Sequence, residues 1–116
     1  MTTISKDVGR GDFLLHRGCD ERLGVRWEQD CQDGEGYVPV DLSGWEATLR
    51  LLSPLGEAWG AWPCTCTEDG FAYAAVSGAD TVGSEWAARA GGSWRIDARG
   101  PQGQMELLGW GYFTMC

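Results

Sequence analysis

At 116 residues the chain is long enough to bury one hydrophobic core and too short for two, so a single domain is expected. Hydrophobic residues make up 43% of it and seven are tryptophans, which excludes a disordered chain, because side chains this large need a core or an interface. The formal charge of -8 repels phosphate and argues against nucleic acid or an anionic membrane as partner, and no stretch approaches the roughly 20 apolar residues of a membrane-spanning helix.

The opening, MTTISKDVGRGD, lacks the apolar stretch of a signal peptide. The expectation is a product made in the cytoplasm, with Cys19, Cys31, Cys64, Cys66 and Cys116 mostly reduced. In VGRGDFLLHRGCD the tripeptide Arg10-Gly11-Asp12, which integrins read on adhesive proteins, is followed by a near-copy, Arg17-Gly18-Cys19-Asp20. Without a secretory signal the tripeptide reads as a coincidence in the approach to a first strand, FLLH. The expected organisation is an N-terminal arm over residues 1–12 and a β-sandwich domain over residues 13–116.

Period-two alternation dominates the rest of the chain. RLGVRWE puts Leu23, Val25 and Trp27 on one face of a strand, and DCQDGEGYVPVDLSG reads as a hairpin loop in which the acidic groups fit no EF-hand spacing. WEATLRLL alternates more strongly, with Trp45, Ala47, Leu49 and Leu51 on one face and Glu46, Thr48 and Arg50 on the other. AWGAW and CTCT predict short strands broken by Gly60 and Pro63, and FAYAAV places Phe71, Tyr73 and Ala75 together. ADTVGSEWAARAGG holds the one helical turn, with Thr81 or Ser84 as N-cap and Gly91 as its stop. SWRIDARG turns Trp94, Ile96 and Ala98 inward and Arg95, Asp97 and Arg99 outward. The turn GPQG then leads into QMELLGWGYFTM, whose glycines predict a bulge or close backbone packing beneath Trp110 and Tyr112. The predicted fold is all-β: a single antiparallel, immunoglobulin-like β-sandwich of about seven strands.

Candidate chemistry is sparse. His16, Cys19, Cys64 and Cys66 are a permitted zinc set by type, but no Cys-x-x-Cys knuckle is present, and small buried side chains in strands explain the cysteines as well. His16 is the lone histidine and no Gly-x-Ser-x-Gly elbow accompanies it. The acidic pairs Asp20 with Glu21 and Glu68 with Asp69 read as solvated turns, and the glycine-rich spots GRG and DGEG do not open helices. No catalytic, cofactor-binding or metal-binding residue is assigned, and no enzyme activity or cofactor is expected. Trp59, Trp62, Trp86 and Trp110 are less constrained by pattern than the others and are candidates for an interface.

At YVPVDLSGWEATLRLL the sequence resembles the β-sandwich domains of tailed-phage virion proteins, those like long-tail-fibre and minor tail proteins of actinobacterial phages. More distantly it resembles the N-terminal domain of phage baseplate upper proteins. The family's Arg-Gly-x-Asp lead-in and strand ending in Trp are matched by Arg17-Gly18-Cys19-Asp20 and LGVRW, and its closing hairpin by SWRIDARGPQGQMELLGWGYF. The likeness covers about residues 13 to 113 and departs from the pattern at AWPCTCTEDG. It implies a structural protein of the virion, assembled in the bacterial host cytoplasm: a minor tail, tail-tip or baseplate component, or alternatively a capsid decoration or head-tail connector protein. The implied partners are other phage virion proteins, with multiple copies per particle and no catalytic residues. A rival of another class is a carbohydrate-binding module that grips the host cell wall through exposed tryptophans such as Trp59 and Trp62.

Overall fold

The computed structural model describes residues 9–30 and 36–116, so Cys31, Gln32, Asp33, Gly34 and Glu35 of the acidic segment lie outside the described residues. The strands are β1 Gly9–Arg10, β2 Phe13–Leu15, β3 Glu21–Arg26, β4 Glu28–Asp30, β5 Tyr37–Pro39, β6 Glu46–Leu52, β7 Ala58–Cys66, β8 Phe71–Val76, β9 Gly91–Arg99 and β10 Met105–Met115. A 3-10 turn, Gly78–Thr81, and a one-turn helix α1, Ser84–Ala87, join β8 to β9. No helix among the described residues is long and apolar enough to cross a membrane.

The chain is all-β. One continuous sheet runs in the order β1-β10-β9-β6-β7-β8-β3, with β2 also beside β10, and β4 and β5 form a separate two-stranded ribbon. The antiparallel expectation holds for β3, β6, β7, β8, β9 and β10, but the sheet is mixed: β1 and β2 run parallel to β10, registering Gly9 with Gly109 and Phe13 with Phe113. Of the expected arm over residues 1–12, the described part therefore lies along a sheet edge. β7 changes partner along its length, pairing through Cys64 with β6 and through Thr65 and Cys66 with β8. The sheet curls until β3, at its far end, approaches β10, giving a shape close to a barrel.

Alternation fills the interior as the sequence predicts along three strands. Leu23 on β3, Ala47, Leu49 and Leu51 on β6, and Trp94, Ile96 and Ala98 on β9 are all buried. On β8 the residues that face inward are Ala72, Ala74 and Val76, while Phe71 and Ala75 are exposed and Tyr73 is half-buried. The aromatics on that outer face cover β3: the Arg26 guanidinium sits 5.0 Å from the Phe71 ring and Arg22 5.4 Å from Tyr73, which lies opposite Gly24. At one end of the core Trp27 meets Trp45 edge to face at 5.6 Å, beside fully buried Leu42. At the other, Trp59 packs against Trp86 and Phe113, each at 6.1 Å.

The helical segment differs from expectation. It divides in two, Ser77 caps the 3-10 turn in a capping box with Asp80, Gly83 caps α1, and Gly91 already belongs to β9. Four residues make one turn with no stable nucleus of its own, so its backbone is held from outside. The Arg17 side chain donates from Nε to the Trp86 carbonyl at 2.9 Å and from Nη2 to the Arg89 carbonyl. Gly18, at φ +76°, accommodates the turn and donates to Thr81 Oγ1 at 3.0 Å, and Asp20 Oδ1 accepts from the Gly78 amide at 2.7 Å. The Arg17-Gly18-Cys19-Asp20 motif is thus the clamp on residues 78–89.

Candidate functional site

The residues weighed for chemistry lie apart. His16 Nδ1 is 3.1 Å from Glu21 Oε1, Cys19 is exposed in the turn beyond it, and Cys64 and Cys66 sit on β7 against the core. Among the described residues no group of three or more His, Cys, Asp or Glu side chains gathers at a point. Cys19, Cys64, Cys66 and Cys116 are free thiols, and burial pushes Cys64 up to about 12 and raises Cys66 as well, with Cys66 adding to the shift at Cys64. Burial therefore makes Cys64 and Cys66 weaker nucleophiles than an exposed thiol.

Asp41-Leu42-Ser43-Gly44-Trp45 is a turn that launches β6. Asp41 Oδ1 accepts from the Ser43 hydroxyl and from its amide, the latter at 2.8 Å, and these bonds hold the carboxyl below its usual pKa. Gly44 takes φ +82° and the Trp45 amide closes on the Leu42 carbonyl at 3.0 Å. Arg10-Gly11-Asp12 is similarly tied into the fold. The Gly11 carbonyl accepts from Trp94 Nε1 at 2.8 Å, the Gly11 amide reaches Trp110 O at 3.3 Å, and Asp12 Oδ1 accepts from the Tyr112 amide at 3.2 Å.

Of the four tryptophans that the pattern left open, Trp86 is buried, and Trp59 and Trp62 are half-buried against the core. The Arg89 guanidinium covers Trp59 at 4.7 Å and Trp86 at 4.3 Å, and Trp62 Nε1 donates to Asp80 Oδ2 at 2.9 Å. Trp110 is the outward one, 39% exposed and edge to face with Tyr112 at 6.1 Å. Its direction is set by a bulge. The β9–β10 register steps from Asp97 opposite Leu107 to Ile96 opposite Gly109, so Leu108 is an extra residue. Leu107 and Trp110, three apart, then share the outer face, where an unbroken strand would place them on opposite faces.

No protein-family model matches this sequence, and no curated protein does.

The outer face of β6, β9 and β10 presents three rows of side chains. One row is Arg50, Arg95 and Trp110; the next is Thr48, Asp97 and Leu107; the third is Leu52, Ser93 and Tyr112. Asp97, its side chain 18% exposed, stands between the two arginines. Arg50 Nη1 lies 2.7 Å from Oδ2, while Arg95 is bidentate, with Nη2 2.6 Å from Oδ1 and Nε 3.0 Å from Oδ2. Two open concavities share this face, of about 580 Å³ over the arginine pairs and about 300 Å³ between Leu52, Ser93, Arg95 and Trp110. Fixed donors and acceptors beside an exposed aromatic ring suit binding; the face brings together no nucleophile and base.

Proposed function

We propose that the protein is a structural component of a tailed-phage particle, a minor tail, tail-tip or baseplate protein that docks on neighbouring virion proteins. What carries the reading is the ordered series Arg17-Gly18-Cys19-Asp20, LGVRW, Asp41-Leu42-Ser43-Gly44-Trp45 and the closing β9–β10 hairpin. Three of its members hold scaffold in place: the first clamps residues 78–89, the third launches β6, and the hairpin joins β6 to the β1 and β2 edge of the sheet. A chain whose distinctive residues serve a rigid sheet suits a connector, and exposed apolar side chains such as Leu14, Leu55, Val82 and Met105 are available for contact with neighbours. In this reading the curled sheet is an immunoglobulin-like sandwich whose two layers join where β7 changes partner. Particle proteins are repeated, so several copies per virion follow.

Mass spectrometry of purified particles from the host that expresses the chain tests this. The expected result is peptides of this chain at a constant ratio to a known tail protein. Their absence from particles, with the chain abundant in the lysate, rejects the proposal.

A further inference from the structure

We propose that Cys64 and Cys66 form a two-coordinate site for monovalent copper, an ion for which soft thiolates are the preferred ligands. The two lie two residues apart on β7, so their side chains leave the same face of the strand, towards the core, while Pro63 and Thr65 on the other face are exposed. β7 changes partner between them: Cys64 registers with Ala47 of β6 and Cys66 with Ala72 of β8. Both opposed residues are alanines, so no large side chain stands across from either thiol. Each cysteine is half-buried, which keeps the pair within reach of an entering ion.

The geometry also selects the occupant. Residues two apart on a strand stand about 6.6 Å apart with parallel Cα–Cβ bonds, an arrangement poorly suited to a disulfide, and both thiols are free. Among the described residues no third His, Cys, Asp or Glu side chain joins them. Two sulfurs fall short of the four ligands of zinc and offer none of the oxygens that calcium and magnesium take. They satisfy monovalent copper. Backbone amides support the ligand form: Leu49 N–H donates to the Cys64 sulfur and Ala47 N–H to the Cys66 sulfur, and each bond favours the thiolate. Binding sends one proton from each thiol to solvent and leaves a complex with one net negative charge, which the half-exposed position keeps in contact with water.

Anaerobic titration of the full, reduced chain with the coloured bicinchoninate complex of monovalent copper tests the site. A variant carrying Cys19→Ser, Cys31→Ser and Cys116→Ser, which keeps only this pair, is expected to withdraw one copper per molecule, as tightly as the unaltered chain. X-ray absorption at the copper edge is expected to show two sulfur neighbours, and excess zinc is expected not to displace the ion. Cys64→Ser and, independently, Cys66→Ser are expected to abolish the withdrawal in this background, because each leaves a single thiolate. Every variant is checked for its unfolding transition, and the absorption spectrum of the variant that keeps only the pair decides if neither single replacement folds. No withdrawal of copper by that variant, displacement by zinc, a nitrogen or oxygen neighbour in the spectrum, or full withdrawal by a folded Cys64→Ser or Cys66→Ser variant overturns the proposal.

Discussion

Trp94 shows how one residue ties two ends of the chain. Its ring stacks on Phe13 at 4.5 Å and its Nε1 satisfies itself on the Gly11 carbonyl, which is possible because position 111, opposite it on β10, has no side chain. A Cβ there would collide with that same Gly11 oxygen. Cys64 is the residue where chemistry and stability meet. Its thiol is raised from 9.0 to about 12 by burial, so the folded chain holds a proton that the unfolded chain has released between those values. The stabilisation is complete below pH 9 and is lost as pH climbs towards about 12. Urea midpoints measured across that window are expected to fall, and to fall less steeply in Cys64→Ala. Equal slopes in the two proteins would show that Cys64 does not carry the effect.

At the scale of elements, α1 depends on a side chain from the other end of the sequence. One guanidinium bonds two carbonyls at the end of the turn, over a helix too short to sustain itself. Arg17→Met keeps the aliphatic stem and removes both bonds, and is expected to cost about 1.5–3 kcal/mol in urea unfolding. Trp86 emission should shift to the red before the global transition. A loss under about 0.5 kcal/mol, the scale of an ordinary surface change, would show that Arg17 does not hold the turn. Alternation made β3, β6 and β9 legible, because a half-buried strand writes its two faces directly into the sequence. On β8 it was legible only as a period. Alanines fill the narrow interior there, and the larger rings face outward over arginines and Gly24, so size did not reveal which face was inward. The outward direction of Arg50, Arg95 and Asp97 could be read. Their convergence could not, since it follows from pairing between strands 47 residues apart. Nor could Trp110 be placed before the bulge at Leu108 was known, because one inserted residue exchanges the faces of all that come after it.

For the molecule as a whole, the mixed sheet matters more than the number of strands. Because β1 and β2 lie parallel to β10, the first and last strands of the described chain are neighbours. The Arg17 and Cys116 amides close the seam beyond them, donating to the Cys116 carbonyl at 3.0 Å and to the Leu15 carbonyl at 2.8 Å respectively. Sequence alternation predicted strands but not this closure, because parallel partners leave no turn between them to mark the pairing. The seam also has a mechanical meaning. Tension applied through the segment before β2 and the segment after β10 pulls the two strands along their own axes, so the bonds between them are loaded together in shear. Pulling instead between Ala90 and Cys116, at the open end of the β9–β10 hairpin, separates that pair one bond at a time. Single-molecule stretching is expected to need a higher force between the chain ends than between handles at Ala90 and Cys116. The reverse order of forces would mean that the seam is not what resists, and that the domain carries load along some other line.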